Sequence, residues 1–264
     1  MSQMMQQKGT AWIGTSNIVV PGNKNTFPPA FQAKSRLHYY SSLFNSVEVN
    51  STFYKTPLPS TTRKWADDVG ENFSFTIKLS KAITHSKELE GDFGLLEPFM
   101  TAAAGLGEKK GSLLIQFPGK ITLDYFDQVE SILYEVEEND PDGAWRKAVE
   151  FRHDRWYTGE TIELLNHFNA TMVLQDIPKS SNMNAVETIS RLKAGFVYLR
   201  FHGPNGDYRD SYTNLFLEEK AALIARWLAA GKDVFAYFNN TIGNAFDNAR
   251  QLRTMVDGGP AENL

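Results

Sequence analysis

The run FVYLRFH, Phe196–His202, decides how this chain folds. Read with the two-residue period of an extended strand, it puts Val197, Leu199 and Phe201 on one face and Tyr198, Arg200 and His202 on the other. A parallel strand buried on both sides normally reads as a nearly continuous apolar run. A strand with one apolar face and one charged face therefore has a hydrophobic layer on one side and a polar interior on the other.

Seven further runs have the same length and β-branched or aromatic character: Ala11–Ser16, Ser46–Thr52, Ser74–Leu79, Ser112–Phe117, Lys147–Arg152, Thr171–Asp176 and Asp233–Asn239. Between them, apolar residues recur at spacings of three and four, which predicts helices over Ser35–Phe44, Thr61–Val69, Phe93–Ala104, Leu123–Val136, Gly159–Phe168, Ala185–Leu192, Leu215–Leu228 and Ala245–Val256. Strand alternating with helix eight times is the pattern of an α/β protein, a single-domain (β/α)8 TIM barrel. The barrel is expected over 11–257, after a polar N-terminal extension, 1–10, and before a short tail, 258–264. An open doubly wound sheet would carry a glycine-rich phosphate loop after its first strand. The segment there, NIVVPGNKNTFPP (Asn17–Pro29), lacks it.

In such a barrel the apolar strand face meets the helices, and the other face points inward. The inward set is Glu48, Asn50, Thr52, Thr76, Lys78, Gln116, Glu150, Arg152, Asp176, Tyr198, Arg200, His202, Tyr237 and Asn239. Val, Ile and Leu would fill a barrel without burying charge, and unpaired buried charge is costly. The polar lining therefore points to a site at the strands' C-terminal ends, where barrels carry their chemistry. The loops on that side add Phe53, Tyr54, Lys81, His85, His153, Trp156, Tyr208, Tyr212 and Asn240, whereas those entering the strands are mostly plain turns. The competing expectation is that Glu48, Glu150 and Asp176 simply pair with Lys78, Arg152 and Arg200 as an internal network. His38 and His167 fall in helices and are read as structural.

The formal net charge is −4, with no basic run, which argues against a nucleic-acid partner. There is no cysteine, so disulfides and thiolate chemistry are excluded. No apolar stretch approaches a membrane span, and Met1–Thr10 has no signal-peptide core, so a cytoplasmic protein without membrane attachment is expected.

The stretches FNSVEVNSTFY (Phe44–Tyr54), FTIKLSKAITH (Phe75–His85), EFRHDRW (Glu150–Trp156), VYLRFHGP (Val197–Pro204) and YFNNTIGNAFDNA (Tyr237–Ala249) resemble the YecE-like proteins, the family called domain of unknown function 72. The resemblance runs from Trp12 to Leu252 and implies a TIM barrel but no settled activity. Fold kinship with endonuclease IV and sugar isomerases offers chemistries only by analogy. After Gly14-Thr15-Ser16 the family pattern has a small residue and an aromatic, where this chain has Asn17-Ile18.

Three functions are open. The first is a metal-independent enzyme acting on a small phosphorylated or carboxylated, sugar-like anion. Lys78, Arg152 and Arg200 would bind the anion; Glu48 or Glu150 with His202 would act as acid and base; the loop aromatics would close over it. The second is a metal-dependent hydrolase or isomerase using Glu48, Glu150, Asp176 and His202, against which the nearby cations count. The third is a non-catalytic binding protein for a metabolite or a nucleic-acid end. No metal and no cofactor are expected. Arg200 is expected to be the partly free cation, so that Arg200→Met would leave the unliganded protein about as stable as before.

Overall fold

The structure is a computed structural model that describes residues 8–183 and 185–258. Most of the expected N-terminal extension and nearly all of the tail lie outside the described residues.

Eight strands form one parallel sheet: β1 (Ala11–Thr15), β2 (Ser46–Val49), β3 (Ser74–Lys78), β4 (Lys110–Gln116), β5 (Arg146–Glu150), β6 (Thr171–Gln175), β7 (Phe196–Phe201) and β8 (Asp233–Phe238). Their order is β1-β8-β7-β6-β5-β4-β3-β2. A parallel bridge between Ser16 and Glu48, with Asn17 N–H donating to Glu48 O at 2.7 Å, brings the two ends together. The single-domain (β/α)8 barrel read from the sequence is the fold observed, with each strand within two residues of its expected limits except β2, discussed below.

The helices are α1 (Arg36–Leu43), α2 (Ser51–Tyr54), α3 (Pro59–Asp67), α4 (Lys81–Thr84), α5 (Leu96–Ala104), α6 (Phe126–Glu138), α7 (Gly159–His167), α8 (Val186–Arg191), α9 (Asn214–Ala229) and α10 (Ala245–Val256). Their starts follow ordinary capping. Ser35, Thr158 and Thr213 each accept a first-turn N–H with the side-chain oxygen, at α1, α7 and α9, and Pro59 opens α3. Among the described residues, no helix is long and apolar enough to cross a membrane.

The alternation sorts the side chains as the sequence implies. Val47, Val49, Phe75, Ile77, Val149, Phe151, Val197, Leu199, Phe201, Ala236 and Phe238 pack outward, with Tyr40, Ile132, Leu165 and Leu252 of the helices, in the main core. Leu114, Ala148, Val173, Phe196, Tyr198, Phe235 and Tyr237 form a second, smaller cluster, the lower filling of the barrel. At mid-depth the inward face is thus mostly apolar and aromatic, with the charges of Glu48, Glu150 and Arg200 in the layer above.

Two short helices depart from the expected strands and loops, and both shape the mouth. The second run ends as strand at Val49, and α2 follows directly, so Thr52 leaves the inward face. Its hydroxyl accepts from Lys78 N at 3.1 Å and donates to Lys78 O at 2.8 Å, tying α2 to the end of β3. Helix α4, capped by Ser80, turns the chain after β3 so that His85 comes back over the barrel.

Closure between β1 and β2 needs a close backbone approach at Gly14, where a Cβ would stand 2.0 Å from Ser46 O and 2.6 Å from the Tyr40 hydroxyl. Both obstacles are buried and hydrogen-bonded, so neither yields easily. Gly14→Ala is expected to cost about 1–3 kcal/mol of stability, as overpacking generally does, measured by denaturant unfolding. An unchanged midpoint would show that these strands do not close as described.

Candidate functional site

A cavity of about 630 Å³ opens at the C-terminal ends of the strands. That size suits a small-molecule ligand. Volume alone does not choose the site, because a hollow of about 670 Å³ lies at the opposite end, lined by Thr10, Trp12, Asn45, Gly70, Glu71 and Arg253 among others. There Arg253 is held by Leu43 O and Asp257. At the mouth, by contrast, charged side chains from several strand ends converge.

Its floor is a buried ion network. Arg200 on β7 grips Glu48 on β2 with a two-pronged contact, Nε to Oε2 at 2.9 Å and NH2 to Oε1 at 2.8 Å. Its NH1 donates to Glu150 Oε2 on β5 at 2.6 Å. Glu150 Oε1 accepts from Arg152 Nε. Ser16 Oγ and the Tyr198 hydroxyl, each at 2.6 Å, complete the donors around Glu48. Glu48 and Glu150 are fully buried and Arg200 is 1% exposed. Burial alone would raise both carboxyl pKa values. The opposing charges, Arg200 at Glu48 and Arg152 then Arg200 at Glu150, more than reverse this and hold both below the ordinary range.

His202 stands at the edge of this network. Guanidinium groups only donate, so its Nε2, at 3.2 Å from Arg152 NH2 and 3.3 Å from Arg200 NH1, accepts. The ring proton is therefore on Nδ1, donated to Asp176 Oδ1 at 3.1 Å. Burial first, and the Arg200 charge with it, lowers the His202 pKa against the Asp176 hydrogen bond. The ring is a neutral link between Asp176 and the two arginines.

Above the floor, the cavity is lined by Asn17, Asn50, Phe53, Tyr54, Lys78, His85, Gln116, Pro118, Gly119, Arg152, Ile177, Lys179, Ser180, Arg200, Tyr208 and Asn239. Lys78, the last residue of β3, is its most distinctive member. Nζ donates to Gln116 Oε1 at 2.7 Å and lies 3.9 Å from the centre of the Phe53 ring. The amide orientation is settled because Gln116 Nε2 donates to Phe117 O at 2.9 Å. No carboxylate lies within salt-bridge distance of Lys78 among the described residues, whereas Arg152 and Arg200 each hold at least one. Burial, and then the Arg200 charge, lowers the Lys78 pKa to about 8. Burial and the Lys78 charge together lower His85 to about 4, so this ring is neutral at pH 7. The Asn50 Oδ1 atom is buried without a hydrogen-bond donor.

Of the residues expected to bind a ligand, Asn50, Tyr54, Lys78, Gln116, Arg152, Arg200, Tyr208 and Asn239 line the cavity. The structure places the others elsewhere. Glu48, Glu150 and His202, expected as acid–base groups, belong to the floor, with their polar atoms already engaged. Asp176 sits behind His202, accepting from His202 N and the Tyr212 hydroxyl, because Val173 and Gln175 take the inward positions on β6 and Asp176 follows with the opposite parity. Tyr212 is buried, its ring stacked on Phe216. Trp156 is core: it stacks 4.3 Å from Phe151 and donates Nε1 to Ile121 O. Tyr237 lies one layer deeper, its hydroxyl 2.5 Å from Ser46 Oγ and 2.8 Å from Thr76 Oγ1. Asn240 is buried on Asp210 O and Asn248. Arg200, expected to be partly free, is the most heavily paired cation in the site. Phe53 and His85, expected on the mouth-side loops without a ligand role, line the cavity, and Lys179 and Asn17 were missing from the expected set. Asn17 and Lys179 follow the first and sixth strands, so their place on mouth-side loops was the signal that could have found them.

Fold and site together define a single-domain (β/α)8 barrel with a charged pocket at its C-terminal mouth. The family model described as "Protein of unknown function DUF72" matches residues 12–263, and the chain belongs to that family. It is 25% identical over 258 residues to the UPF0759 protein YunF of Bacillus subtilis, covering 88% of this chain and 90% of that one. The UPF0759 protein YecE of Escherichia coli K12 is 28% identical over 131 residues, about half of each chain at 49% and 46%. A crystal structure of a DUF72 family protein from Enterococcus faecalis V583 superposes with a TM-score of 0.76 at 19% identity, covering 94% of this chain and 96% of the other. A D-allulose 3-epimerase from a Methylomonas species superposes at 0.56 with 14% identity over 98% of both chains, a likeness of fold alone.

Removing Arg200 would strand two buried carboxylates. Arg200→Met is therefore expected to destabilise the protein by about 3–5 kcal/mol, with part of the loss recovered when Glu48→Gln is added, both read by urea unfolding. Near-wild-type stability of the single variant would mean that the network does not bear on the fold.

Proposed function

We propose that this protein is an enzyme acting on a small anionic metabolite, phosphorylated or carboxylated and carrying hydroxyl groups, bound at the barrel mouth without a metal ion. The observation that carries this is Lys78, a buried cation facing the cavity without a carboxylate partner. Buried charge lacking a counter-ion is unfavourable, and an anionic ligand supplies one. Arg152 supports the same reading: among the described residues its NH1 reaches only the Tyr208 hydroxyl, at a long 3.5 Å, and can turn to a ligand oxygen. Lys179, exposed on the rim, adds a third cation. The unpaired Asn50 Oδ1 suits a ligand hydroxyl. Phe53, His85 and Tyr208 supply apolar walls that reduce water around the bound group.

The donor set favours metal-independent chemistry. Glu48 and Glu150, the carboxylates of the floor, are engaged by arginines, and Lys78 and Arg152 would repel a cation. Among the described residues no group of three His, Asp or Glu side chains is placed to hold a metal.

Lys78→Met removes a desolvated cation beside Arg200 and Arg152. In the absence of ligand it is expected to match or exceed the wild type in stability at pH 7. Folded Lys78 releases its proton at about 8, while the unfolded chain holds it to 10.5. Stability from this group therefore rises with pH between those values, and the advantage of Lys78→Met, on the order of 3 kcal/mol, fades across that window. Phosphate or sulfate is expected to raise the wild-type melting temperature, by the equivalent of about 2.7 kcal/mol at a hundredfold excess over Kd, with the effect weakening as pH rises through about 8. In Lys78→Met that anion effect is expected to be largely lost. A wild type indifferent to phosphate, sulfate and a panel of sugar phosphates and sugar acids would contradict the proposal.

A further inference from the structure

The surroundings of Lys78 are those of an amine nucleophile as well as of a cation. Its Nζ has one hydrogen-bond partner among the described residues, Gln116 Oε1, and that amide is locked in orientation by Phe117 O. The Phe53 ring covers one side at 3.9 Å, and His85 packs edge-on to that ring at 4.8 Å. The rest of the nitrogen faces a cavity that holds Arg152 and Tyr208 on its wall. A lysine in this setting, desolvated and flanked by other cations, keeps a usable fraction of free amine near neutral pH, which is how such lysines become nucleophiles toward carbonyl carbon. Arg200 and Arg152 act on it in that direction, and Glu150 and Glu48 oppose them.

We propose that Lys78 condenses with the carbonyl group of an aldehyde- or ketone-bearing anionic substrate, holding it as a covalent iminium while Arg152 holds the anionic group. This builds on the anion-binding role of the mouth and adds the substrate class and the reacting atom. The free amine attacks the carbonyl carbon, forming the C–N bond, and the carbonyl oxygen takes a proton. The resulting carbinolamine loses that oxygen as water. Overall, an ammonium and a carbonyl give an iminium and one water, which carries away two of the three ammonium protons. No oxidant, reductant or further reactant is required. The positive charge remains on the Lys78 nitrogen before and after condensation. The cation–π contact with Phe53 and the attraction for the substrate anion therefore persist through the step, while the iminium draws electrons from the neighbouring carbon.

The test uses the full wild-type chain with glycolaldehyde phosphate as probe and sodium cyanoborohydride as trap, followed by peptide mapping by mass spectrometry. Lys81, exposed three residues further on, is the internal reference. Lys78 is expected to be alkylated at least about tenfold faster than Lys81, as a depressed lysine exposed to a carbonyl should be. Inorganic phosphate is expected to slow the reaction at Lys78 and leave Lys81 unaffected. Lys78→Arg should remove that adduct. Alkylation of Lys78 no faster than of Lys81, in protein that phosphate does stabilise, would overturn the condensation and leave the anion site standing. Rapid alkylation of Lys78 that is indifferent to phosphate would overturn the anionic substrate class.

Discussion

Arg200 sits in the middle of the barrel with almost no contact with water, and a guanidinium there requires carboxylates. Glu48 reaches it from β2 and Glu150 from β5, so three strands on different sides of the barrel are joined through one side chain. Buried carboxylates and a buried guanidinium are each expensive to desolvate, and only near-complete pairing offsets that expense. Glu48 has it, with Arg200, Ser16 and Tyr198 arranged around its two oxygens. The layer above inherits its geometry from this pairing.

One consequence is a division of labour among charges of the same sign. Arg200 and Arg152 grip carboxylates with planar forks suited to them, which leaves Lys78 with a glutamine oxygen and an aromatic face. Floor and wall are thus different residues. Carboxylates held this strongly ionised, with their oxygens engaged, are poor proton shuttles at neutral pH, whereas an amine of lowered basicity suits reaction there. The neutral His202, fixed between Asp176 and the arginines, belongs to the floor by the same logic.

The fold was legible because strand parity is a strict constraint. In FVYLRFH, and likewise in KAVEFR and SFTIKL, the same alternation that sends Val, Leu and Phe to the helices sends Arg200, Glu150 and Lys78 inward. Parity does not report depth, so Tyr237 read as a mouth residue when it fills the layer below. Nor does it survive a break in the strand. The turn into α2 after Val49 was hidden by β-favouring neighbours, and Asp176 lies one residue beyond the last inward position of β6. Long aromatic side chains are ambiguous for another reason: Trp156 can fold back onto Phe151 as readily as it can reach a ligand, and nothing local in EFRHDRW distinguishes the two. The choice among partners was least legible. That Arg200 rather than Lys78 would take both glutamates follows from strand neighbours and fork geometry, which exist only once the barrel is closed.

The mouth separates a neutralised structural floor from a Lys78 that has no carboxylate within ion-pair distance among the described residues. The most direct test of this separation is the titration of the Lys78 side chain itself, followed by NMR of protein carrying isotope-labelled lysine and assigned with Lys78→Arg. The expected midpoint is near 8, well below the ordinary 10.5, and moves upward when phosphate is added. A midpoint at the ordinary value, unmoved by phosphate, would contradict that separation.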